Sequence, residues 1–233
     1  MKVLWFSVTP SMFSPKSNSH NGGGWIASLE QIIKKEPTIN LGVAFRFPNS
    51  DFKYEFEGVN YYPIPLFQLS RLQRLCGKSN KEAMITHCLR IIDDFRPDLI
   101  QIFGSENDYG LLCQHTNIPI VIHIQGYLSS IFNALFPVGM NKYDFIFTKG
   151  LSWNFRWMGI RSEPSFCKRT KQEIQTIQHC RYFMGRTEWD KELVSLFNPD
   201  ATYFHCEEAL RDSFLNSTKH WSFPKRKKIK LLV

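Results

Sequence analysis

The chain has no Cys-x-x-Cys pair, and no histidine and cysteine combine in a metal-ligand spacing. It also lacks any apolar run near the roughly 18 residues that a membrane span requires. These absences argue against a zinc site and against a transmembrane helix. The N-terminus enters an apolar run after a single lysine, without the zones of a signal peptide. Acidic residues are outnumbered, 21 against 29 Lys and Arg, and no pair of them suggests the two carboxylates that glycoside hydrolysis needs. Nucleic acid is not an expected partner, because no RNA-binding motif appears. The six cysteines, at 76, 88, 113, 167, 180 and 206, read as reduced, mostly buried thiols in a cytoplasmic protein.

What is present is ample apolar material. Of 233 residues, 43% are hydrophobic and 20 are Phe, enough for one large domain with a filled core or two small ones. Short apolar runs at 2–8, 40–47, 98–103, 118–124, 180–185 and 201–205 read as strands. Helical patterns at 23–35, 79–95 and 187–197 alternate with them. The expected fold is therefore α/β: a Rossmann-like, mostly parallel sheet with helices on both faces. Residues 52–65, where Phe52, Tyr54 and Phe56 alternate with charges before Gly58, predict a small antiparallel edge feature. Arg96-Pro97-Asp98 is a helix stop leading into a buried strand.

The opening segment points most directly to a ligand. Strand 2–8 is followed by a long polar loop, then Gly22-Gly23-Gly24 and an amphipathic helix. Unpaired N–H groups at such a helix start, together with the positive end of its dipole, suit a phosphate-bearing or polyhydroxyl ligand. Gly22-x-Gly24-x-x-Ala27 formally matches a dinucleotide fingerprint. The intervening loop is too long for that motif, and Arg46 stands where an acidic residue should grip the ribose. Two further strand ends hold candidates. Ile118–Ile124 runs into Gln125-Gly126, and the strand ending at Gly185 runs into Arg186-Thr187-Glu188. His123 reads as an interior histidine, and Glu106 as a first-turn acid of a following helix. Thr187 and Asp190 form a near-capping box.

Charge is uneven. Residues 1–150 carry fourteen basic against twelve acidic residues, and 151–233 carry fifteen against nine. Aromatic and aliphatic residues crowd 127–158, with Lys149, Arg156, Arg161, Lys168, Arg169 and Lys171 in or after the stretch. That composition fits a core or groove wall, and it also fits a face resting on an anionic membrane surface.

Taken together, the strand–loop–Gly-Gly-Gly–helix start, the Arg-Pro-Asp strand ending in Gly104, the Ile118–Gly126 segment and Met184-Gly-Arg-Thr-Glu-Trp-Asp190 resemble family 4 of the retaining glycosyltransferases, of GT-B fold. The likeness is greatest to bacterial members that build capsular and exopolysaccharides. The resemblance covers the N-terminal half of such an enzyme. It implies that residues 1–224 are an acceptor-side Rossmann-like domain, and that 225–233 are a linker and the start of a C-terminal donor-binding domain. It implies sugar transfer from a nucleotide-sugar to a saccharide or lipid-linked saccharide acceptor, without a metal or other cofactor. The setting would be the cytoplasm or the inner face of the plasma membrane. Gly22, Gly23, Gly24, Gln125, Gly126, Arg186 and Glu188 match substrate-binding positions, Gln125 standing where many members carry histidine, and no catalytic residue is assigned. Two other readings stay open: a stand-alone module for a nucleotide or NADP, and a basic nucleic-acid-binding domain.

Overall fold

Strands buried on both faces of a parallel sheet need apolar side chains on both, so they read as continuous apolar runs. A computed structural model shows where those runs go. It describes residues 1–13, 24–47, 53–65, 80–136, 138–141, 143–144, 153–220 and 222, with backbone alone for 153–162 and 212–213. In chain order the elements are β1 (Lys2–Ser7), α1 (Gly24–Ile33), β2 (Asn40–Arg46), β3 (Tyr54–Phe56), β4 (Val59–Ile64), α2 (Asn80–Phe95) and β5 (Leu99–Phe103). A 3-10 helix (Asp108–Gln114) follows, then β6 (Ile120–His123), α3 (Leu128–Asn133), α4 (Trp153–His179), β7 (Tyr182–Gly185), α5 (Glu188–Phe197), β8 (Thr202–His205) and the short α6 (Asp212–Leu215).

The eight strands form one sheet in the order β3-β4-β2-β1-β5-β6-β7-β8. Every neighbouring pair is parallel except β3 with β4. The expected antiparallel edge is thus present. Its two-residue turn, Glu57-Gly58, has φ of 49° and 77°, the left-handed pair that a tight hairpin with native twist requires. The Arg-Pro stop also appears: Arg96 takes φ 53° and ends α2.

Side-chain alternation along the strands fills two cores. Leu4, Phe6, Ala44, Ile100 and Ile102 face α2 and the 3-10 helix, meeting Met84, Cys88, Ile92 and Tyr109. Val3, Trp5, Leu41, Val43 and Phe45 face α1 and its Ile26. Each fully buried side chain of this size contributes about 1.5–3 kcal/mol. Helices therefore cover both faces, as the pattern predicts. Tyr127 and Leu128 from the aromatic stretch are core residues, whereas Ile131 and Tyr143 are exposed.

Two features depart from the sequence reading. Helix α4 lay unforeseen across 153–179. In addition, Cys113 and Cys180 form a disulfide with Cα atoms 5.6 Å apart, so these two are not the reduced thiols expected. Sixty-seven residues separate them in sequence, and only the packing of α4 on the 3-10 helix brings them together. That packing is close: a Cβ on Gly110 would lie 2.3 Å from Thr176 Cγ2. Cys88 is buried and its thiol is pushed up to about 12 by desolvation, which keeps it protonated.

Candidate functional site

From β1 the sheet grows one way through β2 and β4 and the other way through β5 and β6. The connections reverse between β1 and β5, and the loops leaving their carboxyl ends diverge there. Open α/β sheets bind ligands in such a crevice. Here it holds a cavity of about 640 Å³, reached by Val8 after β1 and by Ser105 and Glu106 after β5. That volume lies within the usual range for small-molecule sites.

The floor is polar and ordered. Gly104 ends β5 with φ +87°, and the Glu106 carboxylate curls back over it. The positive φ calls for glycine, and a Cβ there, 2.3 Å from Glu106 Oε2, would also push that carboxylate aside. Asn107 locks the loop. Its Oδ1 accepts from Tyr109 N at 3.0 Å, and its Nδ2 donates to the carbonyls of Phe103 (3.0 Å) and Gly104 (3.2 Å). Ser105 Oγ donates to Glu173 Oε1 at 2.7 Å and lies 3.3 Å from the Gly126 carbonyl.

Glu173 comes from α4 and is 2% exposed. Its other oxygen accepts from Leu128 N at 2.8 Å and Ser129 N at 3.4 Å, which satisfies the start of α3. Burial raises its carboxyl above the ordinary range, while the Ser105 and backbone bonds oppose that shift. Glu106 is raised for the same main reason, with its own backbone N–H and Arg169 pulling the other way. Its Oε2 has no hydrogen-bond partner.

The mouth is basic. Arg46 at the end of β2 lies over the Tyr109 ring, 5.8 Å from its centroid, and Arg169 of α4 lies 5.6 Å from that of Phe166. Lys168 and Lys81 complete the rim. Lys81 pairs with Asp108 at 3.7 Å and bonds Gln172, whose Nε2 donates to the same Asp108 at 2.6 Å.

The seven substrate-binding candidates read from the sequence, where described, fall elsewhere around the carboxyl edge. Gly22 and Gly23 lie outside the described residues, as do Lys149 and 225–233. Gly24 is the first residue of α1, with the Arg211 guanidinium where a Cβ would point. Gln125 is half-buried beyond β6, and the carbonyl of exposed Gly126 accepts from Ser105 Oγ at 3.3 Å. Arg186 pairs with Glu208 at 2.7 Å. Glu188 lies in the first turn of α5, 3.3 Å from Lys191 and pointing to solvent. None of the five that the structure describes is among the residues lining the cavity. The Thr187–Asp190 capping box is formed in full.

The interior histidine is also present. His123 is 1% exposed, stacked on Phe103 at 5.8 Å and 4.9 Å from Trp25, with Nδ1 3.4 Å from Gln101 Nε2. Arg46 projects to the α2 face of the sheet, opposite the α1 face that carries Gly24. The two halves of the formal dinucleotide fingerprint therefore do not share one side.

Residues that sequence reasoning missed are Glu173 and Glu30, whereas Lys168 and Arg169, read there as part of a cationic face, stand at the cavity. Glu30 is fully buried on α1, accepts from the Tyr61 hydroxyl and takes Met12 N at 3.3 Å, tethering the start of the loop after β1.

The strand order, crossovers and cleft define a Rossmann-like domain with the architecture of one half of a GT-B enzyme. Neither a protein-family model nor a curated protein matches the chain. Among solved structures it is similar to sucrose-phosphate synthase from Thermosynechococcus elongatus. The TM-score is 0.53 at 10% identity, over 88% of this chain and 47% of that one. The chain thus spans about half that enzyme's length. Looser matches include a UGT transferase from Siraitia grosvenorii in complex with UDP (TM-score 0.49, 8% identity, 94% of this chain and 50% of that one). Another is UDP-GlcNAc 2-epimerase from Methanocaldococcus jannaschii (0.41, 11%, 83% and 42%). At such identity the likeness establishes fold, and function must be argued from the site.

Proposed function

We propose that this chain is the acceptor-side half of a retaining glycosyltransferase. The whole protein would move a sugar from a nucleotide-sugar to a saccharide or lipid-linked saccharide in bacterial surface polysaccharide synthesis, at the inner face of the plasma membrane. The observation that carries the reading is the cavity at the point where the sheet reverses, in a fold that makes up half of a two-domain sugar enzyme. Its floor offers Ser105 and Glu106, hydrogen-bonding groups suited to sugar hydroxyls, on a loop held rigid by Asn107 and bonded to Glu173 of α4.

In this reading the half-enzyme positions the acceptor hydroxyl, and a second domain supplies the donor. Holding two reactants in register can account for several kcal/mol of a barrier, on the order of 7–11 in the best cases. Charge developing on the departing diphosphate would be met by helix N-termini rather than by a metal. Calorimetry of this chain with UDP- and GDP-sugars checks the division of labour. No dissociation constant tighter than roughly millimolar is expected, about −4 kcal/mol. Submicromolar binding of a nucleotide-sugar, or of NADPH, would overturn it.

A further inference from the structure

The cavity carries more positive charge at its mouth than its own wall neutralises. Asp108 is engaged by Lys81 and Gln172. Glu173 is surrounded by the Ser105 hydroxyl and two backbone N–H groups and faces inward. Among the described residues, Arg46, Lys168 and Arg169 have no carboxylate within 4.0 Å. The guanidiniums of Arg46 and Arg169 rest against aromatic rings instead, an arrangement that orients them toward the cavity mouth. Below them Glu106 keeps one oxygen without a hydrogen-bond partner among the described residues, its carboxylate folded over Gly104. An unused hydrogen-bonding oxygen on the floor and three unmatched cations at the rim call for a ligand with a hydroxyl at one end and a strong anion at the other.

We infer that the cavity takes a phosphate-bearing saccharide: a hydroxyl meets Glu106, and the phosphate is held by Arg46, Lys168 and Arg169. Phosphate suits this rim better than a single carboxylate, since it offers more acceptor oxygens to forked donors and more charge to three cations. The inference rests on the acceptor-side reading and sharpens it to one class of acceptor. The same chemistry is offered by a soluble sugar phosphate and by a lipid-linked one, and the two are told apart by how the ligand is supplied.

The test is a calorimetric titration of the full chain at low salt. The soluble arm uses glucose 6-phosphate, with glucose and glucuronate as comparisons. The lipid arm uses a polyprenyl-phosphate-linked glucose in neutral detergent micelles, against micelles holding the sugar-free polyprenyl phosphate. At least one phosphate ligand should bind tighter than glucose and glucuronate by about tenfold or more. Arg169→Gln and Lys168→Gln should each weaken it by about fivefold or more. Glu106→Gln should weaken glucose 6-phosphate and leave inorganic phosphate unchanged, a split that a folding defect would not give. Lys35→Gln, an exposed cation just beyond the far end of α1, should change nothing. Binding in the soluble arm identifies a sugar phosphate, and binding in the micelle arm alone identifies a lipid-linked one.

Failure of both phosphate arms overturns the inference, as does glucuronate binding as tightly or indifference to the cation variants. Should both arms fail while the whole protein transfers sugar to a neutral acceptor, the transferase reading survives. Phosphate binding here with a whole protein that transfers no sugar would remove that reading instead.

Discussion

His123 gives the sharpest physical prediction. It sits at the carboxyl end of β6, under Trp25 and against Phe103, and is 1% exposed. Desolvation, aided by the nearby charge of Arg186 and opposed by Asp190, pulls its pKa from 6.5 to about 4. The folded chain therefore holds the ring neutral, with Nδ1 accepting from the Gln101 amide, while the unfolded chain binds a proton below about 6.5. Between the two values the unfolded state carries more protons, so stability falls as pH falls through that window. The size of the displacement corresponds to about 3 kcal/mol. His123→Gln removes the titrating group, and the difference between wild type and variant isolates it from every other ionisation. Urea unfolding from pH 7.5 to pH 4 should show wild type losing up to about 3 kcal/mol more than the variant. Parallel stability curves, or a C2-proton titration of His123 centred near 6.5, would refute the reasoning.

Other outcomes follow from the α4 wall. Burial raises Glu173, so the folded state binds its proton more tightly and stability declines as pH rises from 4.5 through the folded value. Glu173→Gln should flatten that limb in the same urea series, while an unchanged slope would mean that the carboxyl is solvated. Replacing both Cys113 and Cys180 by Ser should lower stability by up to about 4 kcal/mol, the loop-closure figure for a separation of 67 residues. Reductant should then shift the wild-type unfolding midpoint and leave the double variant's in place.

The sheet was legible because burial on both faces imposes apolar runs. β1, β2, β5, β7 and β8 lie within a residue or two of the segments picked by composition, and β6 within a slightly longer one. Gly58 marked the hairpin for an equally local reason. Helix α4 was opaque, since its buried stripe is Thr170, Glu173, Thr176 and Ile177, with Pro164 and Gly159 nearer its start. A polar stripe gives no hydrophobic period. The same fact hid the cavity: Glu173 matters through Ser105, 68 positions away, and through Leu128, 45 away. Glycines and strand ends announce a carboxyl edge, so the sequence candidates cluster there. Which loop folds inward is decided by packing between distant segments. Glu106 was visible as an acid after β5, but its unpartnered oxygen depends on the turn at Gly104.

The central claim, that the crevice between β1 and β5 is where a saccharide is held, is open to direct mapping. Backbone amide shifts of the isotopically labelled chain, followed during titration with whichever phosphate-bearing saccharide binds by calorimetry, glucose 6-phosphate or the lipid-linked one in micelles, would locate the contact. The account predicts saturable shifts at Ser105, Glu106, Asn107, Lys168, Arg169 and Glu173, and quiet amides around the small cleft of Lys53, Arg90 and Asp94. Shifts confined to Gly24 and the start of α1, or to that small cleft, would contradict it.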